Sequence, residues 1–276
     1  MLSTRDIQRK IRTVRNIQQI CRAMKTVSSI KLRKAEERIL AARPYADALS
    51  AMVMSLGGES DYQHPLLQVR EVMRTGVVAI SADKGLAGSF NTNLIRDAAN
   101  LVKSQSGVRT ITIGRKVSDA FRRMGFEIEA SLNPLGNNPE FRTIAALADR
   151  IGLLYVQGVW DRVDLVFTQF GGRVTTMQLL PILPPEGDEV NANYIFEPDP
   201  AAIIDQLLPR YLRTVLYTSI LSSVAAEHAA RVAAMSLATD NAEDLISTLT
   251  MDYNKSRQAS ITGELTDIVG AAEALR

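Results

Sequence analysis

Residues 210–262, RYLRTVLYTSILSSVAAEHAARVAAMSLATDNAEDLISTLTMDYNKSRQASIT, contain neither proline nor glycine. Inside a helix proline costs ~3 kcal/mol and glycine ~1 kcal/mol, so this stretch reads as one unusually long helix. The other end of the chain has the same property: the first proline is Pro44 and the first glycine Gly57. At a rise of ~1.5 Å per residue, a helix from Ser3 to Leu56 would be ~80 Å long and one from Arg210 to Arg276 ~100 Å. A compact domain of the intervening size is ~30 Å across, so both helices are expected to project beyond it.

The 276 residues are 46% hydrophobic and only 5% aromatic, which suits a core built largely by helix packing. The net charge is +2 but unevenly spread. Residues 1–43 hold twelve Lys/Arg against three acids (Asp6, Glu36, Glu37), whereas residues 210–276 hold six against eight. A basic helix beside a weakly acidic one suits an internal pair and also suits an acidic partner. The lone Cys21 cannot form an internal disulfide and fits a reducing compartment. No run of 18 apolar residues reads as a membrane span. Arg5, Arg9, Lys10 and Arg12 arrive too early for an apolar signal core.

Ser3 followed by Asp6 forms a variant capping box at the start of the first helix. Ile7, Ile11, Val14, Ile17, Cys21, Met24 and Val27 then recur in steps of three and four, predicting a single apolar stripe. Pro44 is a potential kink, and Gly57-Gly58 a stop. From Gly76 the pattern changes. Strands are predicted at Val77–Ile80, Thr110–Ile113, Val163–Thr168 and Met177–Leu180, alternating with helices from about Asn91, at Lys116–Met124 and at Arg142–Val156. That alternation implies a largely parallel sheet, a small Rossmann-like domain. In the last helix, paired alanines at 225–226, 229–230 and 233–234 permit close helix approach, and Ile261, Leu265, Ile268, Ala272 and Leu275 read as a coiled-coil seam. The expected organisation is an N-terminal coiled-coil helix over 1–56, a Rossmann-like domain over 76–183, a proline-rich irregular connector over 184–209, and a C-terminal coiled-coil helix over 210–276. The fold class is α/β, with the domain inserted between two terminal helices that pair antiparallel.

The chemistry-bearing residues are sparse. Residues 82–91, ADKGLAGSFN, lie at a strand-to-helix junction where amides can cradle phosphate, but they match neither glycine-rich fingerprint. A turn capped by Ser89 or Asn91 is the plainer reading. His64 precedes a proline, and His228 sits among alanines. Neither has zinc-ligand spacing, so both read as surface or packing residues. Cys21 occupies an apolar helix position and reads as packing. No catalytic, cofactor-binding or metal-binding residue is expected.

Two stretches carry a family resemblance. They are residues 20–27, ICRAMKTV, with 31–34, KLRK, and residues 253–265, YNKSRQASITGEL; DKGLAGSFN at 83–91 and ATDNA at 238–242 join them. Together they resemble the gamma subunit of the F-type ATP synthase, the central rotor stalk, along the whole chain. The resemblance implies a non-catalytic subunit: an antiparallel coiled coil threading the hexamer of α and β subunits. The Rossmann-like domain would lie beside the epsilon subunit and the c-ring. By position, Met24, Lys25 and Arg231 resemble the neck that meets an acidic loop of the catalytic β subunit. Arg257, Gln258, Thr262 and Glu264 resemble an upper β contact, and Tyr194 and Glu197 a foot on the c-ring. Gly263 stands where relatives often carry a longer polar residue. The resemblance further implies no cofactor, no nucleic acid, and peripheral attachment through the c-ring at the cytoplasmic side of a bacterial plasma membrane. The chloroplast form's inserted cysteine pair has no counterpart here. Two other classes remain open on the residues alone. A nucleotide-binding Rossmann-like enzyme would bind nucleotide saturably, and a nucleic-acid-binding coiled coil would bind with steep salt dependence.

Overall fold

The computed structural model describes residues 4–56, 64–105, 107–183 and 200–274. Its contacts form two compact units. One comprises the first helix as far as Ser28 with the last helix from Val232; the other comprises Ser29–Arg231.

The larger unit is built on a five-stranded sheet. Strand β1 (Thr75–Ile80) is buried at every position and lies at the centre. Its branched and small residues are buried from both faces, as a parallel strand covered by helices requires. β2 (Arg109–Ile113) and β4 (Arg162–Thr168) flank it in parallel, with Val78 opposite both Ile111 and Leu165. β3 (Ile128–Leu132) pairs parallel with β2 at one edge, and β5 (Val174–Leu180) antiparallel with β4 at the other, giving the order β3-β2-β1-β4-β5. Helices α2 (Phe90–Lys103) and α3 (Arg115–Arg123) bury Leu94, Ala98, Val117 and Phe121 on one face of the sheet, against Val77, Ala79 and Val166. The other face packs on α4 (Phe141–Val156) and on parts of the long helices α1 (Thr4–Leu56) and α5 (Pro200–Ala274). Fully buried there are Ile144, Ile151, Tyr155 and Leu216.

Three features depart from the sequence reading. β3 was not among the predicted strands. It is a half-buried edge whose outer positions are polar, and its Ile128-Ala130-Leu132 alternation is only three residues deep. Arg109 pairs with Glu127 and Glu129, and Arg150 with Glu129, fastening that edge. β5 begins earlier than Met177 and closes a hairpin with β4. The turn uses Gly171 and Gly172 at φ 112° and 91°, a conformation glycine adopts without steric cost.

The third departure concerns the connector expected over 184–209 and the helix expected from Arg210. The helix starts at Pro200 and runs through Pro209. Proline at a first helical position forfeits an amide that has no partner there anyway. Beyond it, Ile204, Leu208, Leu212 and Leu216 are buried at four-residue steps, and this packing carries the helix across Pro209. Pro44 is likewise accommodated inside α1, which ends at Leu56. The proposed Ser3 cap and the Gly57-Gly58 stop lie outside the described residues.

In the smaller unit, residues 4–28 of α1 pair antiparallel with residues 232–256 of α5. Gln8 Nε2 donates to the Tyr253 hydroxyl at 2.9 Å, Gln18 Nε2 to the Thr239 carbonyl at 3.5 Å, and Lys25 Nζ to Ser236 Oγ at 3.0 Å. As the α1 number rises, the α5 number falls.

Candidate functional site

The seam of the two-helix unit follows a stricter rule than the predicted stripe. On α1 the covered positions are Ile7, Ile11, Val14, Gln18, Cys21, Lys25 and Ser28, alternating steps of four and three. On α5 they are Met235, Thr239, Ala242, Ile246, Leu249, Tyr253 and Ser256. This is the 3.5-residue period of a left-handed pair. Ile17 and Val27, assigned to the seam from their apolarity, are instead about half exposed (49% and 52%). Consecutive three-residue steps, Ile11–Val14–Ile17 and Cys21–Met24–Val27, would carry the stripe off the contact line, so Gln18, Lys25 and Ser28 take the seam positions. The unit thus fills its interior partly with polar and small side chains and leaves large apolar ones outside.

Those outside include Ile17, Ile20 and Val27 on α1, and Leu237, Leu245, Met251, Leu265, Ile268 and Val269 on α5. The predicted terminal seam through Ile261, Leu265 and Ile268 has no mate within the described residues: positions 257–271 are all exposed. Continued in the same steps, the seam that ends at Ser256 would pass through positions 260, 263, 267 and 270, so Ile261, Leu265 and Ile268 lie off its line. The side chains expected at the upper contact, Arg257, Gln258, Thr262 and Glu264, belong to this exposed stretch. Met24 and Lys25 are half-buried one helical turn above Ser28. Tyr194 and Glu197 lie outside the described residues.

Arg231 is placed differently, in the larger unit, and it faces inward. Its side chain is 9% exposed, pairs with Glu227 Oε1 at 2.6 Å, and donates through Nη2 to the Gly85 carbonyl at 3.2 Å. Nη1 lies 3.3 Å from His228 Nδ1. Burial, then the Arg231 and Lys31 charges, lower the His228 pKa to about 4, so the ring is neutral at ordinary pH and can accept that bond. Burial raises the Glu227 pKa against the opposing pull of Arg231. The i,i+4 spacing of Glu227 and Arg231 is visible in the sequence; the carbonyl it leads to is not.

The same region settles the glycine-containing turn at 82–91. Asn91 Oδ1 accepts the Ala82 N–H and Asn91 Nδ2 donates to the Lys84 carbonyl. Asp83 accepts the Arg115 N–H at the start of α3 and the Gly136 N–H. Ala82, Ala87 and Phe90 pack on Ala226 of α5. In an open α/β sheet, ligands bind beyond the C-terminal strand ends where the strand order reverses, here between β1 and β4. That crevice is occupied by α5 itself: Ala226 meets the turn after β1, and Ser222 Oγ accepts the Phe170 N–H just after β4, at 2.8 Å. A nucleotide would have to displace the helix, so the geometry opposes the enzyme reading.

His64 acts locally, its Nδ1 accepting the Leu66 N–H while Nε2 approaches Asp205 at 3.8 Å. Cys21 is buried in the seam. No helix among the described residues is long and apolar enough to cross a membrane.

The chain is matched over residues 3–275 by the family model described as ATP synthase. It is 44% identical to the ATP synthase gamma chain of Heliobacterium modesticaldum and 42% identical to that of Pelotomaculum thermopropionicum, both over the full length of both chains. The chain belongs to the ATP synthase gamma-chain family. Its fold recurs in solved structures. One is the Euglena gracilis mitochondrial ATP synthase, OSCP/F1/c-ring, at TM-score 0.74 and 20% identity over 99% of this chain and 94% of the other. Another is the central stalk/c-ring structure of the Tetrahymena thermophila mitochondrial enzyme, at TM-score 0.60 and 24% identity over 79% and 99%.

Proposed function

We infer that this chain is the central rotor subunit of an F-type ATP synthase, carrying c-ring rotation to the catalytic β subunits. What carries the reading is the full-length match to gamma chains, joined to a two-helix unit that buries its seam and exposes Ile17, Ile20, Val27, Leu265 and Ile268. Exposed large apolar side chains along both helices call for a partner surface. The α and β subunits supply it as a sleeve, with the epsilon subunit and c-ring as further partners.

The mechanism is differential contact. A rotor shifts the equilibrium at a β subunit only by binding its open and closed states unequally. Turning a site from 1:99 to 99:1 requires ~5.5 kcal/mol of differential interaction. A two-helix shaft has no threefold symmetry, so each β subunit meets a different face. Met24 and Lys25 contact an acidic loop of β at the neck; Arg257, Gln258, Thr262 and Glu264 contact β higher up; Tyr194 and Glu197 contact the c-ring. Arg231, paired with Glu227 and bonded to the Gly85 carbonyl, is a further candidate for contact with β. Chemistry takes place on the β subunits. The complex sits peripherally on the cytoplasmic face of a bacterial plasma membrane.

Mild-detergent extraction with an affinity tag on this chain tests the reading. Recovery with α, β, epsilon and c subunits and with ATP hydrolysis is expected. Cysteines introduced at Lys25 and Gln258 should crosslink to β. Recovery of the chain alone, binding nucleotide saturably, refutes it.

A further inference from the structure

Between the sheet and α5 lies a set of contacts that a simple packing face does not need. Ser222, Ala226 and Ala230 step by four along one side of α5. They meet the Phe170 N–H beyond β4 and the Ala82, Ala87 and Phe90 side chains beyond β1. Arg231 reaches round from the next position to the Gly85 carbonyl. That carbonyl precedes Leu86, whose φ of 62° is unfavourable for a branched side chain and persists only where its surroundings hold it. The Asn91 and Asp83 bonds fix the two ends of the turn, leaving Arg231 as the group that fixes its crest.

We propose that Arg231 is a positioning residue that clamps the crest of the 82–91 turn onto α5, so that the helix and the sheet turn together rather than slipping. Glu227 neutralises and aligns the guanidinium at 2.6 Å, and His228 Nδ1 accepts from its other amino group. The planar fork is needed, because one head group must serve a carboxylate, a ring nitrogen and a carbonyl in fixed directions. A lysine ammonium keeps the charge but not that geometry.

The test uses the intact ATP synthase carrying Arg231→Lys or Glu227→Gln, with Arg257→Lys as an exposed comparison. Two quantities are read: amide hydrogen exchange at Ala82 and Phe90, whose N–H groups donate to Asn91 Oδ1 and the Ala87 carbonyl within the turn, and protons pumped per ATP hydrolysed in vesicles. Arg231→Lys should speed exchange of those amides roughly ten- to hundredfold, the loss expected for a hydrogen bond made by a charged group. It should lower pumping per ATP severalfold. Glu227→Gln should move both in the same direction by less, and Arg257→Lys should leave the exchange unchanged. Wild-type exchange in both clamp variants overturns the proposal. Faster exchange with wild-type pumping also overturns it, because the contact would then be structural only. If Arg231→Lys fails to assemble, Glu227→Gln decides by the same criteria. The pumping arm rests on the rotor reading and the exchange arm does not, so absent pumping in the wild-type complex would sink that reading and leave the clamp standing.

Discussion

The two units solve the same problem, what to do with large apolar side chains, in opposite ways. In residues 29–231 the sheet is covered on both faces, and Trp160, Tyr155, Phe121 and Ile151 are almost wholly buried. In the two-helix unit the seam spends its interior on Gln18, Cys21, Lys25, Ser28, Thr239 and Ala242, while Ile20, Leu237, Met251 and Ile268 face outward. The first region covers its large apolar side chains with its own elements. The second leaves them uncovered within the described residues, the surface that the proposed rotor role assigns to a partner.

The contrast can be broken most sharply in the larger unit, at Gly114. Its φ is 93°, and a Cβ there would overlap the Ser81 carbonyl, which belongs to backbone that cannot rotate away. Gly114→Ala should cost about 3 kcal/mol or more, combining backbone strain and overpacking. Urea denaturation of the isolated chain reads this as a lower midpoint. An unchanged midpoint would mean that this rim is looser than the packing indicates.

Within the two-helix unit, Ile11 and Ile17 form a matched pair of isoleucines on one helix. Ile11 is buried in the seam and Ile17 is not. Ile11→Ala should destabilise helix pairing by about 2 kcal/mol, the low end for a buried large-to-small change. Ile17→Ala should stay within about 0.5 kcal/mol in the isolated chain, as surface changes do. In the assembled complex the ranking should alter, with Ile17→Ala weakening retention of this chain on the α/β hexamer in a salt-independent way. Equal effects of Ile17→Ala in the free chain and in the complex would remove the distinction between the units.

Much of this was legible in the sequence. The two long helices follow from where proline and glycine are missing, and β1, β2 and β4 from short apolar runs between turns. β3 escaped because an edge strand shows only half of an alternating pattern, and the α5 start because Pro200 and Pro209 look like stops when packing is ignored. The seam was misread at Ile17 and Val27 for a subtler reason. Apolarity marks a surface to be covered but does not say whether the chain or a partner covers it. The candidate contacts were found through motif resemblance, whereas Arg231's inward turn depends on a backbone carbonyl, which no residue type announces.

A smaller effect separates the buried polar cluster from its surroundings. His228 titrates at about 4 in the folded chain and near its ordinary value of 6.5 when unfolded. Between those pH values the unfolded state binds more protons, so stability falls as pH drops from 6.5 towards 4. Glu227 works in the opposite sense, its raised pKa letting the folded state take up a proton first. Arg231, Lys31 and Asp83 are the other charges acting on these two groups. Comparing wild type with His228→Gln isolates the histidine. The wild-type denaturation midpoint should drop more steeply across that window, and parallel curves would refute the assignment.

The smallest effect is expected at Arg22 and Glu243, whose side chains approach at 3.6 Å across the two-helix seam but remain 59% and 70% exposed. Water and salt screen such a pair, and ordering two long side chains opposes the attraction. A double-mutant cycle with Arg22→Gln and Glu243→Gln should return a coupling of about 0.5 kcal/mol or less in the isolated chain, vanishing at high salt. The arrangement of the seam sharpens the point. Gln18 and Lys25 on either side already bond across to Thr239 and Ser236, so register survives loss of the ion pair. A coupling well above 1 kcal/mol would place these charges in a far less solvated setting, and the open face of the two-helix unit would have to be redrawn.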